Sequence, residues 1–324
     1  MRRALAIIVA AAGILPAGCL FSGGKTPQGN GGGRVGTDKI VERPAEEFVS
    51  YLNRQAGYAQ TVRYNDLDLK ASIPNQPFVP ALSNGMVVCG QPNNFRMTAG
   101  MAVGGKQLDV GANDREMWMY VKMSDRPYLY CSNQDFPAVQ DALPVKFEPA
   151  WVMQSLGMAT YDTRKQYTMK IDEKGRNYQL VYSDVTAAGQ RVLKMTEFAA
   201  DRMTGSVPQV RRHVVMSEDG KKVIAEARIR KVSEQVVGTD PETKAAVVLQ
   251  VPTELVLEWP QEQTKMDLVL GNITVNERMT ADQFNAMFAK PSRIGAATPE
   301  NLIDVFGGGR GRALSRDALP RRGS

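Results

Sequence analysis

Few residues of this sequence have the type and spacing that catalysis or metal binding would need. The one histidine, His213, lies in the run Arg211 to Val215, which is typical of a strand, and no cysteine or carboxylate cluster accompanies it. A histidine without such partners is more often structural than a metal ligand or a general base. The sequence also lacks HExxH, Gly-x-Ser-x-Gly and Ser-x-x-Lys motifs. We therefore expect no enzymatic activity, no metal and no other cofactor.

The N-terminal residues have the features of a bacterial lipoprotein signal. Arg2-Arg3 is followed by the apolar run Ala4 to Leu15 and by Ala17-Gly18-Cys19. A dozen apolar residues suit a secretory signal better than a membrane span, which needs roughly 20. The end resembles the lipobox, although Pro16 replaces the usual apolar residue. We expect residues 1–18 to be removed and Cys19 to carry palmitate-type acyl chains; ordinary cleavage nearby, giving a soluble exported protein, is the alternative.

The residues after Cys19 predict where the protein resides. Leu20 replaces the aspartate that retains some lipoproteins in the inner membrane, which favours an anchor in the outer membrane, facing the periplasm. Residues 19–43 are glycine-rich, as expected of a flexible tether. Residues 293–324 are rich in glycine and arginine, and we predict a disordered tail in which only Leu302 to Phe306 forms a short turn. The folded domain should span residues 44–292.

The net charge of +6 is concentrated at the two ends of the chain. Arg2-Arg3 contributes two positive charges, and residues 293–324 contain six arginines against three acidic residues. The central part is thus close to neutral, which gives no reason to expect nucleic-acid binding.

Alternating hydrophobicity predicts a mainly β (α+β) fold. Residues 95 to 103 show the pattern most clearly, because Phe95, Met97 and Met101 fall on one side of the strand. Helical patterns occur only at residues 45–56, 149–157 and 280–289, where Thr280 to Gln283 forms a capping box. We expect a large curved antiparallel sheet, with the helices covering its concave face. The predicted strands are 62–71, 85–89, 95–103, 116–122, 128–131, 166–171, 177–184, 190–198, 210–217, 222–232, 246–259 and 264–275.

Cys89 and Cys131 each end an apolar strand-like run. In an oxidising compartment they could form a disulfide. Two separate buried thiols, acting as small hydrophobic residues, are equally compatible with the sequence.

Several segments resemble a known family. Pro92-Asn93-Asn94-Phe95-Arg96 starts a strand, Asn113 to Tyr120 forms a hairpin ending in Met-Trp-Met-Tyr, and Phe147 to Trp151 enters a helix. These segments, with the terminal strand and helix from Met266 to Pro291, resemble the outer-membrane lipoprotein carrier and receptor (LolA/LolB-like) superfamily. The resemblance implies an incomplete barrel whose apolar concave face holds acyl chains. Gln91 replaces the basic residue that locks the lid in the carrier, which favours an anchored protein over a shuttle.

Methionines are frequent on the family-like strands. Flexible thioethers suit a pocket for chains of variable shape, although they also suit adaptable core packing. Trp118 and Tyr120 share the face opposite to Met117 and Met119, so the two sets cannot line one cavity. The candidate ligand-binding residues are Phe95, Met97, Met101, Met117 and Met119.

The leading hypothesis is a cell-envelope lipoprotein that binds lipid acyl chains or a lipidated partner non-covalently and contacts the membrane through Cys19. The alternative is a non-catalytic structural or assembly lipoprotein that acts through protein–protein contacts.

Overall fold

The computed structural model describes residues 40–74, 81–139, 147–187, 189–204, 207–240 and 244–306, with the backbone alone at 201–204, 207–208 and 306. The predicted signal peptide, Cys19 and nearly all of the tether lie outside these ranges, as does the end of the tail from residue 307.

The described chain contains five helices and fourteen strands. The helices are α1 (Ala45–Tyr58), α2 (Phe136–Val139), α3 (Pro149–Ser155), α4 (Ala281–Met287) and α5 (Leu302–Phe306). The strands are β1 (Thr61–Ser72), β2 (Leu82–Gly90), β3 (Asn94–Met101), β4 (Gly105–Ala112), β5 (Glu116–Val121), β6 (Tyr128–Ser132), β7 (Tyr167–Ile171), β8 (Asn177–Val185), β9 (Arg191–Thr204), β10 (Val207–Ser217), β11 (Val223–Thr239), β12 (Ala246–Trp259), β13 (Thr264–Val275) and β14 (Glu300–Asn301).

All fourteen strands belong to one sheet, in the order β14-β6-β5-β4-β3-β2-β1-β13-β12-β11-β10-β9-β8-β7. Neighbours are antiparallel except for β14, which pairs with β6 in parallel. The chain thus forms two meanders that meet where β1 pairs with β13. The sheet is curved and does not close, which confirms the predicted mainly β fold with an incomplete barrel.

The two faces of the sheet follow from the alternation of side chains. In β1, Val62, Tyr64 and Leu67 are buried on the face that we call the inner face, and the exposed Asp66 and Asp68 lie on the outer face. An irregularity in pairing with β2 between Tyr64 and Leu67 keeps both apolar residues on the inner side.

Helices α1 and α3 cover the inner face, as predicted. The Phe48 ring of α1 lies 4.9 Å from the Phe198 ring of β9, and Trp151 of α3 lies 5.8 Å from Trp259 of β12. Both helices bury their apolar side in the core, which explains their stability despite lengths of 14 and 7 residues.

Helix α4 lies on the outer face, so the prediction that it covers the concave face was wrong. Its capping box is present, as predicted, between Thr280 and Gln283. Phe284 and Phe288 pack over Gly90, where a Cβ atom would lie 2.9 Å from the Phe284 ring. The absence of a side chain at Gly90 makes room for the helix on this face.

The predicted start of the disordered tail at residue 293 also requires correction. Ile294 is buried and bridges to Ala297, and β14 and α5 follow within the predicted tail. Leu302 packs against the side chains of α2. The described part of the domain therefore continues to residue 306.

Strand β4 was missed because its first residues are polar and only its second half alternates. The preceding strand ends at Met101, and Gly104 and Gly105 turn the chain with φ angles of 116° and 68°. Such positive angles favour glycine.

Cys89 and Cys131 are both free and buried. Their strands, β2 and β6, are separated by three others in the sheet, so the two residues lie about 19 Å apart at normal strand spacing. A disulfide requires Cα atoms within about 7 Å. The structure therefore favours the alternative of two separate buried thiols.

None of the helices in the described ranges is long and apolar enough to span a membrane. Within the same ranges, no group of three or more histidine, cysteine or acidic residues is arranged to hold a metal ion.

Candidate functional site

The largest apolar cluster lies between the inner face and the segment Phe147–Leu156, which includes α3. Phe147 packs against Phe95 of β3 with ring centroids 5.9 Å apart, and Trp151 packs against Trp259. The strand residues below this segment come from both meanders and are almost all aliphatic or aromatic: Val62, Leu67, Val87, Met97, Val110, Leu255, Leu257, Leu268 and Leu270. The segment thus covers a continuous apolar surface.

The structure brings only some of the predicted ligand-binding residues together. Phe95 and Met97 lie in this central cluster, and Met119 packs at its margin. Met117 belongs to a separate cluster with α2 and α5, and Met101 is partly exposed at the end of β3. The predicted methionine face is therefore divided between two packed clusters.

Two polar groups in the central cluster are buried without a hydrogen-bond partner among the described residues: the indole nitrogen of Trp151 and the hydroxyl of Tyr64. Burial raises the pKa of Tyr64 well above its ordinary value, so the phenol remains a donor. A buried donor without an acceptor costs about 1–3 kcal/mol. Both groups could donate to carbonyl or ester oxygens of a bound molecule.

A chain of hydrogen bonds links α3 to the second meander. Gln154 donates to the hydroxyls of Tyr161, at 2.9 Å, and Tyr182, at 2.8 Å. The Tyr161 hydroxyl contacts Thr196 Oγ1 at 3.1 Å, and Thr196 contacts Nδ1 of His213 at 3.2 Å. The network fixes the C-terminal end of α3 over β8 to β10.

His213 is neutral in this network. Burial, together with the positive charge of Lys194, lowers the pKa of His213 to about 4. The side chain is 4 % exposed, and its described partner is a threonine rather than a carboxylate or thiolate. This environment supports the structural role that the sequence indicated.

Two cavities adjoin Gln154 and Tyr161 on the inner side. One, of about 50 Å³, lies between α1, α3 and the strands near His213. The other, of about 250 Å³, opens between α3 and the ends of β7 to β9. The first has room for only one or two water-sized groups.

The outer face carries a buried ionic cluster formed by the family-like motif. Arg96 donates through Nε and Nη2 to Asp109, at 3.2 and 2.9 Å. Lys106 and the Trp118 indole also donate to Asp109, at 2.7 and 3.1 Å. Burial raises the pKa of Asp109, but the hydrogen bonds from Arg96 and Lys106 outweigh that effect and hold the pKa below its ordinary value. Asp109 is therefore ionised at neutral pH.

Gln91, at the position where the carrier has its locking residue, contacts α1. Its amide nitrogen donates to the carbonyl oxygen of Ala56 at 2.7 Å, close to the C-terminal end of that helix. The residue ties α1 to the turn before β3 and forms no described bond to α3.

The sequence did not predict Gln154, Tyr161, Tyr182 or Thr196 as parts of a site. The one signal in the sequence was the spacing Tyr178, Leu180 and Tyr182, which places aromatic side chains on one face of β8.

No protein-family model and no curated protein matches the sequence. Among solved structures, a DUF1329 family protein from Desulfovibrio piger is similar over 76 % of this chain and 98 % of that one, at 11 % identity and a TM-score of 0.45. A LolA superfamily protein from Nitrosomonas europaea is similar over 75 % and 97 %, at 12 % identity and a TM-score of 0.42. A domain named for outer-membrane lipoprotein sorting, from Vibrio parahaemolyticus, is similar over 75 % and 98 %, at 7 % identity and a TM-score of 0.47. At these identities and TM-scores, the similarities transfer no activity to this chain.

Proposed function

We propose that this protein is a non-catalytic cell-envelope lipoprotein that binds an acyl chain, of a lipid or of a lipidated partner, on the inner face of its sheet. The observation that carries the proposal is the continuous apolar surface beneath Phe147–Leu156, where Tyr64 of β1 leaves a buried hydroxyl without a described partner. The anchor at Cys19 and a position in the outer membrane, facing the periplasm, belong to the same proposal.

Binding requires the Phe147–Leu156 segment to move, because the apolar surface is filled when the segment is in place. The adjoining cavity of about 50 Å³ is far below the 300–1,000 Å³ of typical ligand pockets. An acyl chain takes the space of the Phe147, Trp151 and Met153 side chains. It thereby keeps the strand residues beneath them away from water.

The attachment of this segment is suited to displacement. Its helix has only seven residues, too few to be stable without packing. The described side-chain hydrogen bonds that link it to the sheet and to the loops around it are those of Gln154 and one from the Ala187 amide to Glu148. The rest of its attachment is apolar, and an acyl chain offers the same kind of contact.

Native mass spectrometry of the full chain, extracted from membranes in mild detergent, tests the proposal. We expect a co-purifying lipid or a mass increment from added fatty acid. Titration with a dansylated fatty acid then locates the site: Met97→Gln, on the inner face, should lower the affinity at least tenfold. Thr98→Gln, the adjacent residue on the outer face, is the matched control and should leave the affinity unchanged. Absence of lipid in both assays, with both variants folded by circular dichroism, contradicts the proposal.

A structural or assembly role is the second candidate, and one observation favours it. Val103 and Met123 are 87 % and 81 % exposed at the ends of the β3–β4 and β5–β6 hairpins. The ammonium group of Lys122 donates to the carbonyl oxygen of Gly104 at 2.7 Å, and this bond joins the ends of the two hairpins. If Val103→Ser and Met123→Ser abolish function in cells while fatty-acid binding is absent, the assembly role replaces acyl-chain binding.

A further inference from the structure

The cavity of about 250 Å³ lies at the end of the second meander and has a different character from the apolar cluster. Its floor is a row of residues paired across three strands on the inner face: Tyr167 of β7, Tyr182 of β8 and Lys194 of β9. Its walls are the loop around Tyr161, the exposed end of α3, and Pro92-Asn93 of the first meander. Both halves of the sheet thus contribute to it.

Two lysines in this cavity share one carboxylate. Lys165 and Lys194 both bind Asp184, the latter at 2.9 Å, and the side chains of Lys194 and Asp184 are only 13 % and 20 % exposed. The other acidic residue of the lining, Asp162, accepts hydrogen bonds from Nε and Nη2 of Arg164. These five groups together carry one uncompensated positive charge. Each ammonium group has three N–H donors, more than Asp184 can occupy.

Aromatic rings and neutral polar groups complete the lining. Tyr161, Tyr167 and Tyr182 form a cluster with ring centroids 5.1 to 6.4 Å apart, and Lys165 Nζ lies 5.8 Å from the Tyr182 ring. Asn93, Gln154 and Thr160 add amide and hydroxyl groups around the same space. Such a lining combines flat apolar surface with donors and acceptors, which suits a ligand carrying both.

We propose that this cavity binds a small hydroxylated carboxylate, of the size and chemistry of a sugar acid. The single excess positive charge matches a monoanion, because a partly buried unpaired charge is costly. A polyol body matches the amide, hydroxyl and carboxylate groups of the lining, and its carbon–hydrogen faces match the tyrosine rings. The volume equals that of about eight water molecules, which is enough for a body of roughly a dozen atoms.

Isothermal titration of the purified full chain with D-glucuronate, D-glucose and glucose 6-phosphate tests this inference. We expect glucuronate to bind at least tenfold more tightly than glucose, because glucose lacks the carboxylate that the lysines bind. Binding of glucuronate should also weaken with added salt. Equal affinity for glucose and glucuronate, tighter binding of the doubly charged phosphate, or no binding of glucuronate overturns the proposal.

Two variants with opposite expected effects on glucuronate affinity test whether this cavity is the binding site. Lys194→Gln removes the excess charge and should weaken glucuronate binding about tenfold, whereas Asp184→Asn frees both lysines and should strengthen it by a similar factor. Lys231→Gln is the control, because Lys231 also pairs with one carboxylate, Glu254, but lies outside the cavity. If Lys165, Lys194 and Asp184 only stabilise the fold, both variants should bind glucuronate more weakly. That result contradicts the inference. The test does not depend on acyl-chain binding, since fatty acid is absent from it.

Discussion

Arg96 and Asp109 form a nearly buried ion pair on the outer face of β3 and β4, with Nη2 and Oδ2 2.9 Å apart. The same guanidinium donates through Nη1 to the carbonyl of Met287 at 3.0 Å, at the end of α4. One side chain thus joins the family-like motif to the C-terminal segment. This contact explains why the motif arginine follows a phenylalanine: Phe95 points into the core and Arg96 holds the segment on the other face.

Arg96→Met should lower the free energy of unfolding by about 3 kcal/mol, because it removes the main partner of a fully buried carboxylate. Lys106 and Trp118 retain part of the stabilisation of Asp109. Urea unfolding at pH 7 measures the change. The matched control is Arg126→Met, whose ion pair with Glu300 is about half exposed and should contribute less than about 1 kcal/mol. Equal losses in the two variants contradict the role assigned to Arg96.

Gly111→Ala should destabilise the protein by about 2–3 kcal/mol, because a Cβ atom at this position would lie 2.1 Å from the Trp118 ring. Trp118 is fully buried and its indole nitrogen is bound to Asp109, so the ring has little freedom to move. Thermal and urea unfolding measure the loss.

Gly238→Ala is the control for this substitution. Gly238 also lies in a strand, but a Cβ atom added there would meet no other atom within 4 Å, and the change should stay within about 0.5 kcal/mol. A similar loss at both glycines indicates that general strand effects, rather than the Trp118 contact, set the cost.

Stability should fall as the pH decreases from about 6.5 towards 4, because His213 is buried in its neutral form. Its pKa is about 4 in the folded chain and about 6.5 when unfolded. Between these values the unfolded chain binds a proton that the folded chain does not, so acid favours unfolding. The full effect is roughly 3 kcal/mol, present above pH 6.5 and lost by pH 4.

Urea unfolding at pH 7, 6 and 5 tests this dependence, and the sequence simplifies it because His213 is the only histidine. His213→Gln should remove most of the slope over this range while retaining a polar partner for Thr196. A slope that persists in the variant contradicts the assignment to His213.

The pattern of the sequence was sufficient for most strands and for the two faces of the sheet, although not for β4 or β14. It did not show what packs against each face. Alternation correctly separated Met117 from Trp118, since neighbouring strand residues point to opposite sides. The apolar side of α4 predicted that Phe284 and Phe288 pack against the sheet, yet it did not indicate whether they pack on its inner or its outer face. That choice depends on open space at Gly90, whose partners lie far away in the sequence.

The candidate sites depended even more on contacts distant in sequence. The lysine pair at Asp184 arises from the pairing of β8 with β9 and from the path of the loop that carries Lys165. Lys165, Asp184 and Lys194 show no regular spacing in the sequence that would predict their contact. The methionines, by contrast, formed a visible pattern in the sequence, and the structure placed them in packed clusters because thioethers also serve as adaptable core residues.

The reactivity of the cysteines should show whether Cys89 and Cys131 are buried in the sheet and whether Cys19 is acylated. Burial raises the pKa of Cys131 to about 11 and that of Cys89 further, so neither thiol should react with iodoacetamide in the native protein at pH 7.5. In urea without reductant, mass spectrometry should find two alkylated cysteines, Cys89 and Cys131, and an acylated Cys19. Three alkylated residues would show that Cys19 carries no lipid, and none would show a disulfide between the other two.

Two serine variants separate the buried thiols from the anchor. Cys89→Ser should reduce the number of alkylated cysteines by one without releasing the protein from membranes. Cys19→Ser should release the protein, because a single polar residue cannot replace acyl chains as an anchor.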